Sequence, residues 1–276
     1  MSKINTLVDD IHDLLENGTK SPNQEFLFAM ASSIVDSMKK QLYVGTLPRG
    51  KGKLRMSNIG KPCTRALWYD INGDEKAEKL TPETKLKFIF GDVVEAVILY
   101  LVKESGHKVT DQQKEVEIDG IKGHLDAIID GELVDVKSSS SYGMRKFKEG
   151  TLAKDDPFGY CGQISGYANA LGKKSGTFLA FDKSGGELAL YKHTNIEDSN
   201  ARVKDIKKKV AKKTPPKRAF DTVSDRNSNR QKLGINCSYC SHKITCWDDE
   251  GLDLKFRSGK PVFFVGEEEK SNEHNF

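Results

Sequence analysis

The feature that most constrains this chain is a change of hydrophobic period near residue 106. Before it, Leu86, Phe90, Val93, Val94, Val97, Ile98 and Leu101 recur at helical spacing behind a Thr81-Pro82-Glu83 start signal, which predicts one long helix ending at Gly106. After it, apolar and polar residues alternate in short runs at 114–118, 123–129 and 132–137, separated by Asp119-Gly120 and Asp130-Gly131. Period two with Asp-Gly between the runs predicts an antiparallel meander. Helices near 142–148 and 159–171 and strands near 177–182 and 187–193 continue the alternation. Elements that are each apolar on one side bury those sides best as a sheet with helices packed on it, an α/β architecture.

The flanks are simpler. Ile4, Leu7, Val8, Ile11, Leu14 and Leu15 share a helical face before Asn17-Gly18, and a second helix is expected from Ser21-Pro22 to about Tyr43. The Gly- and Lys-rich stretch from Arg49 to Arg55 reads as a loop and residues 61–72 as a short helix. Beyond the core, residues 196–213 read as a basic helix, 214–234 as a polar, loop-like stretch, and 252–265 as a hairpin turning at Ser258-Gly259-Lys260-Pro261. The tail from Gly266, rich in Glu and Asn, is expected to be disordered.

Composition excludes some classes. No apolar run approaches the ~20 residues of a membrane span, and no secretory leader follows Met1-Ser2-Lys3, so a soluble, cytoplasmic protein is expected. A net charge of +4 does not by itself announce a nucleic-acid partner. The basic residues are clustered, however, at Arg49, Lys51, Lys53 and Arg55 and again between Arg202 and Arg218, where either a solvated face or a phosphate-binding surface would use them. Five cysteines in a reducing compartment point to metal ligation or free thiols rather than disulfides.

The chemistry concentrates on the strand pair. Asp126 and Asp135 fall on successive predicted strands, and strand alternation sends Asp135 and Lys137 to the same face. Two carboxylates there can hold a hard divalent cation. A lysine beside them can orient or deprotonate a water while the cation offsets charge on a phosphate. An Asp-x-Lys triplet alone is most often an ordinary surface hairpin.

The surrounding strings are more specific. Gly91-Asp92-Val93-Val94-Glu95, Gly123-His124-Leu125-Asp126, Asp135-Val136-Lys137 and Gln163-Ile164-Ser165-Gly166-Tyr167 resemble, in order and spacing, the successive motifs of the PD-(D/E)xK nucleases. The RecB-like branch, with its GxxxE or GxxxH helix, GxxD, (D/E)xK and QxxxY, is the most similar. The resemblance implies that Glu95, Asp126, Asp135 and the carbonyl of Val136 hold magnesium or manganese, that Lys137 is the catalytic lysine, and that Gln163 and Tyr167 position DNA or support the site. Glu95 stands where many relatives carry histidine. It lies on the flank of the apolar stripe, so a merely solvated role stays open. His124 is expected to be structural.

Cys237-x2-Cys240-x5-Cys246 with a distant Cys63, in the context Ser57-Asn58-Ile59-Gly60-Lys61-Pro62-Cys63-Thr64-Arg65, resembles the iron-sulfur arrangement of CRISPR-associated exonucleases and AddAB-type helicase-nucleases. That resemblance implies a 4Fe-4S cluster on these four thiolates. A zinc site on Cys237, Cys240, His242 and Cys246 is the alternative, and it leaves Cys63 unexplained. Cys161 fits neither pattern and is expected to be a buried small residue on the Gln163 helix.

The expected architecture is therefore a restriction-endonuclease-like core, a mixed central sheet flanked by helices. A helical extension and basic linker at 1–56 would precede a nuclease domain at 57–265, whose end forms an iron-sulfur lobe, and the tail would be 266–276. The expected activity is a metal-dependent DNA exonuclease acting on ends or single strands. An endonuclease or nicking enzyme of recombination and a non-catalytic DNA-binding module are the alternatives. No GxxxxGK[ST] loop is present, so a helicase or recombination motor would be a separate chain. The small size suits a phage or mobile-element origin.

Overall fold

The computed structural model describes residues 4–42 and 52–266. The described residues pack as two compact units, one drawn from residues 4–42, 54–60 and 80–204, the other from 52–53, 61–79 and 205–266. The expected loop at Arg49 and Lys51, the helix end at Tyr43 and the tail beyond Gly266 lie outside the described residues. No helix among the described residues is long and apolar enough to cross a membrane.

The first unit contains strands β1 (Val109–Thr110), β2 (Glu115–Ile118), β3 (Ile121–His124), β4 (Ala127–Ile129), β5 (Glu132–Ser139), β6 (Gly176–Asp182) and β7 (Leu188–His193). Five of them form a mixed sheet in the order β1-β4-β5-β6-β7, parallel only between β5 and β6. On one face, the helices Leu7–Asn17 and Pro82–Glu104 bring Leu7, Ile11, Val94, Ile98, Leu99 and Val102 against Ala127, Ile129, Val134, Val136 and Leu179. Full burial of each such aliphatic side chain is worth about 1.5–3 kcal/mol. The long helix starts where its signal predicts, with the Thr81 hydroxyl accepting from the Thr84 N–H at 3.2 Å. Buried His107 ties this layer together, its ring nitrogens 2.6 Å from Asp130 and 3.1 Å from Asp10.

The helices Ser141–Lys148 and Tyr160–Ala170 lie on the other side, where Phe178 is fully buried among Phe147, Tyr160 and Tyr191. Alternation along β5 decides the rest. Val134 and Val136 point into the first core, so Asp135 and Lys137 project to the second face.

The structure corrects the expected meander. The run 123–129 is not one strand, because it breaks at Leu125 and Asp126. Below the break β3 pairs only with β2, and above it β4 joins the main sheet. The break is held by the turn preceding β2, where Gln113 N–H donates to the Asp126 carbonyl and Leu125 N–H to the Lys114 carbonyl. The expected helix at 61–72 is corrected as well. It starts later, at Thr64, and runs to Asn72, and a separate short helix, Met56–Ile59, precedes it. Gly60 sits against the start of the Gln163 helix, where a Cβ on Gly60 would fall 2.0 Å from the Gly159 carbonyl oxygen.

The second unit contains a sheet that sequence reasoning read in part as loop. Strands β8 (Thr222–Ser224), β9 (Gln231–Leu233), β10 (Leu252–Arg257) and β11 (Lys260–Val265) form an antiparallel sheet in the order β10-β11-β9-β8. The β10–β11 hairpin is the one expected. The stretch 214–234 is not all loop, and its two strands, three residues each, are too short to show a period. The sheet closes on a small core of Leu233, Trp247 and Phe263. Asp225 accepts from Lys232 and Arg257, and these hydrogen bonds, Lys232 first, hold its carboxyl well below the usual range.

Candidate active site

The site lies in the first unit, where β5, the strand break, the Pro82–Glu104 helix and the Tyr160–Ala170 helix meet. Asp135 is buried and Lys137 nearly so, with Lys137 Nζ 2.6 Å from Asp135 Oδ2. Asp135 Oδ1 has no hydrogen-bond partner among the described residues, and Oδ2 has only the ammonium. Buried carboxylate oxygens are rarely left this way.

The strand break brings Asp126 beside them. Its Oδ2 accepts from the Val136 N–H at 2.7 Å. Burial pushes the Asp126 carboxyl well up, and the charges of Asp135 and Glu95 push it further. Glu95, half-buried on the long helix, accepts from Gln113 Nε2 at 2.8 Å. Burial raises its carboxyl to about 7; the Gln113 hydrogen bond opposes the rise, and Asp135 and Asp92 add to it. Glu95, Asp126 and Asp135 thus repel one another in one place. Burial works against the Lys137 ammonium, but Asp135 and Asp126 outweigh it and hold the group above the ordinary lysine range.

The Gln163 helix forms one wall. Gln163 Nε2 donates to the Tyr167 hydroxyl at 3.4 Å, and Tyr167 is buried. Burial raises its phenol to about 12, with Asp135 and Asp126 adding to the effect. Gly123 of the GxxD string is required sterically, because a Cβ there would lie 2.3 Å from Met56 Cβ and 3.1 Å from the Tyr167 ring. His124 is exposed and faces Glu115 across the β2–β3 hairpin at 3.8 Å, away from this cluster.

Two neighbours escaped the sequence reading. Tyr160 lies under Lys137, whose Nζ is 4.9 Å from the ring centroid. Its position three residues before Gln163 on the same helix is a signal that could have found it. Gln113 offered no signal, since it sits in a turn whose special backbone, φ 55°, uses no glycine.

In the second unit, Cys63 caps the helix Thr64–Asn72, Cys237 lies in the helix Ile235–Ser238, and Cys246 ends the helix Lys243–Cys246. These three and Cys240 are half-buried free thiols. Burial raises Cys237 to about 11, with Cys240, Cys63 and Cys246 each adding to it, so the four lie within electrostatic reach of one another. Both ring nitrogens of His242 are engaged, by Asp74 at 2.8 Å and Asp70 at 2.9 Å. Cys161 is buried on the Gln163 helix, where burial raises its thiol to about 12. Arg65 donates to the Pro216 carbonyl and the Tyr69 hydroxyl. Among the described residues, no three His, Cys, Asp or Glu side chains are gathered into a ready-made metal-binding group.

No protein-family model and no curated protein sequence matches this chain. Among solved structures it is similar to SSO0001, with 14% identity over 82% of this chain and 98% of that one and a TM-score of 0.40. It is also similar to LHK-Exo in complex with dAMP, with 16% identity, 58% and 85% coverage and a TM-score of 0.38. A third likeness is to an alkaline exonuclease, LHK-Exo, from Laribacter hongkongensis, with 15% identity, 73% and 82% coverage and a TM-score of 0.29.

Proposed function

We propose that this protein is a nuclease that hydrolyses phosphodiester bonds of DNA with the help of magnesium or manganese. The observation that carries the reading is the buried Asp135–Lys137 pair with an unsatisfied Asp135 oxygen, set beside the mutually repelling carboxylates of Asp126 and Glu95. Oxygen donors with surplus negative charge suit a hard divalent cation, which satisfies the orphan oxygen and relieves the repulsion. Glu95, Asp126 and Asp135 would hold it, with the Val136 carbonyl as a possible backbone donor, and would draw together in doing so. When bound, the cation supplies Lewis-acid polarisation of the phosphate and a more acidic water.

The chain's own residues do the rest. Lys137, positioned by Asp135 and backed by Tyr160, presents a charged donor to the attacking water or to the charge that develops on the phosphate. Gln163 and Tyr167 form the wall against which a strand is positioned. Working from ends is what the resemblance of the cysteine pattern to the iron-sulfur nucleases implies, and an endonuclease would use the same groups.

The four thiols suit an iron-sulfur cluster or a four-cysteine zinc site. With His242 occupied by two aspartates, Cys63 is the better fourth donor than His242.

The test incubates purified protein with end-labelled linear DNA and closed circular DNA, with magnesium, manganese or a chelator. The expected result is cation-dependent loss of linear DNA with the circle intact, and a drop of about a hundredfold or more in Lys137→Ala. Nicking of the circle would make the enzyme an endonuclease. Cation-dependent binding with no cleavage would reduce it to a DNA-binding module.

A further inference from the structure

Gln113 makes two contacts that no motif assigns. Its side-chain amide donates to Glu95 Oε1 at 2.8 Å, and its backbone N–H donates to the Asp126 carbonyl at 3.2 Å. It does so from a left-handed backbone, φ 55°, a region that long side chains seldom occupy and that costs stability wherever it is held. The turn that carries it is anchored on both sides. Lys103, on the same helix as Glu95, donates to Gln112 Oε1 at 3.0 Å, and Leu125 N–H donates to the Lys114 carbonyl at 3.1 Å. The strained turn is therefore fastened at one end to the helix bearing Glu95 and at the other to the strand break bearing Asp126.

We infer that Gln113 is a positioning residue that sets the distance and orientation between the Glu95 and Asp126 carboxylates for a divalent cation. The inference rests on the reading of those two side chains as cation ligands. The chemistry of the amide suits the task. It orients one oxygen of Glu95 and adds no positive charge that would repel a cation. A lysine or arginine at 113 would compete with the cation for Glu95, and a glutamate would repel the Glu95 carboxylate instead of orienting it. Hydrogen-bonding partners of metal ligands commonly change affinity about ten- to a hundredfold when removed.

The test uses Gln113→Asn and Gln113→Gly, both of which tolerate the left-handed backbone and keep the N–H to Asp126. Asparagine is one methylene too short to reach Glu95 from the same backbone, and glycine has no amide. Manganese affinity is measured by calorimetry on the full-length protein, with thermal melting in a chelator alongside. The expected result is that both variants melt no lower than wild type, while manganese affinity falls about tenfold or more and added manganese restores cleavage. Unchanged affinity in both variants, with wild type binding manganese normally, overturns the positioning role and leaves the nuclease reading intact. Wild-type protein that binds no manganese overturns both.

Discussion

Lys137 and Asp135 face one another because β5 alternates, so that pair could be read directly from an Asp-x-Lys string once the strand was placed. Gln113 could not, since what it touches depends on where a turn comes to rest, whereas Tyr160 was within reach of the sequence only through its helical spacing from Gln163. Burial of Glu95 has a measurable consequence. Its carboxyl is raised from about 4.5 to about 7 in the folded chain, so between those values the native state holds a proton that the unfolded state has released. Its contribution to stability is therefore present below pH 4.5 and lost as pH rises to about 7. In cation-free buffer, Glu95→Gln should flatten the decline in urea midpoint between pH 5 and 8. A variant with the wild-type slope would show that Glu95 is solvated, as the helical pattern alone allowed.

Among the elements, the start of the long helix was legible at its Thr81 cap, whereas the helices behind Asn23 and Asp198 begin a few residues later than expected, and hairpins were legible wherever Asp-Gly joined two runs. The break at Leu125 and Asp126 was not legible, because alternation continues unbroken through it while the strand changes partners. Gly123 marks the place in retrospect. A methyl group there must displace Met56 or the Tyr167 ring, both in the packed layer under the site. Gly123→Ala should cost about 1–3 kcal/mol in a denaturant titration and should reduce cleavage by shifting Tyr167. Wild-type stability in this variant would mean that the contact is looser than the geometry indicates.

At the scale of the whole chain, the first unit's architecture, a mixed sheet flanked by helices, was legible because its helices and β5, β6 and β7 are long enough to show a period, while the two-residue β1 was not. The second unit's sheet was only half legible, since β8 and β9 are three residues each. Its four thiols come from chain segments on either side of residues 80–204, yet they fall in the same unit. On the iron-sulfur reading of these thiols, anaerobically purified protein should carry about four irons per chain. Cys63→Ala should lose them and Cys161→Ala should not. Stoichiometric zinc in their place would refute the cluster and leave the catalytic site standing.

The central claim is that Glu95, Asp126 and Asp135 form a cation site that serves phosphodiester hydrolysis, and Asp126→Asn tests it most directly. This substitution keeps an oxygen for the Val136 N–H while removing a charge from a crowded cluster. The measurement is the rate of DNA hydrolysis as a function of manganese for wild type and Asp126→Asn. The account predicts saturable, manganese-dependent cleavage in wild type. In the variant it predicts a rate about a hundredfold or more lower, from a protein that is at least as stable as wild type in chelator. Cleavage by Asp126→Asn at the wild-type rate and manganese dependence would contradict it.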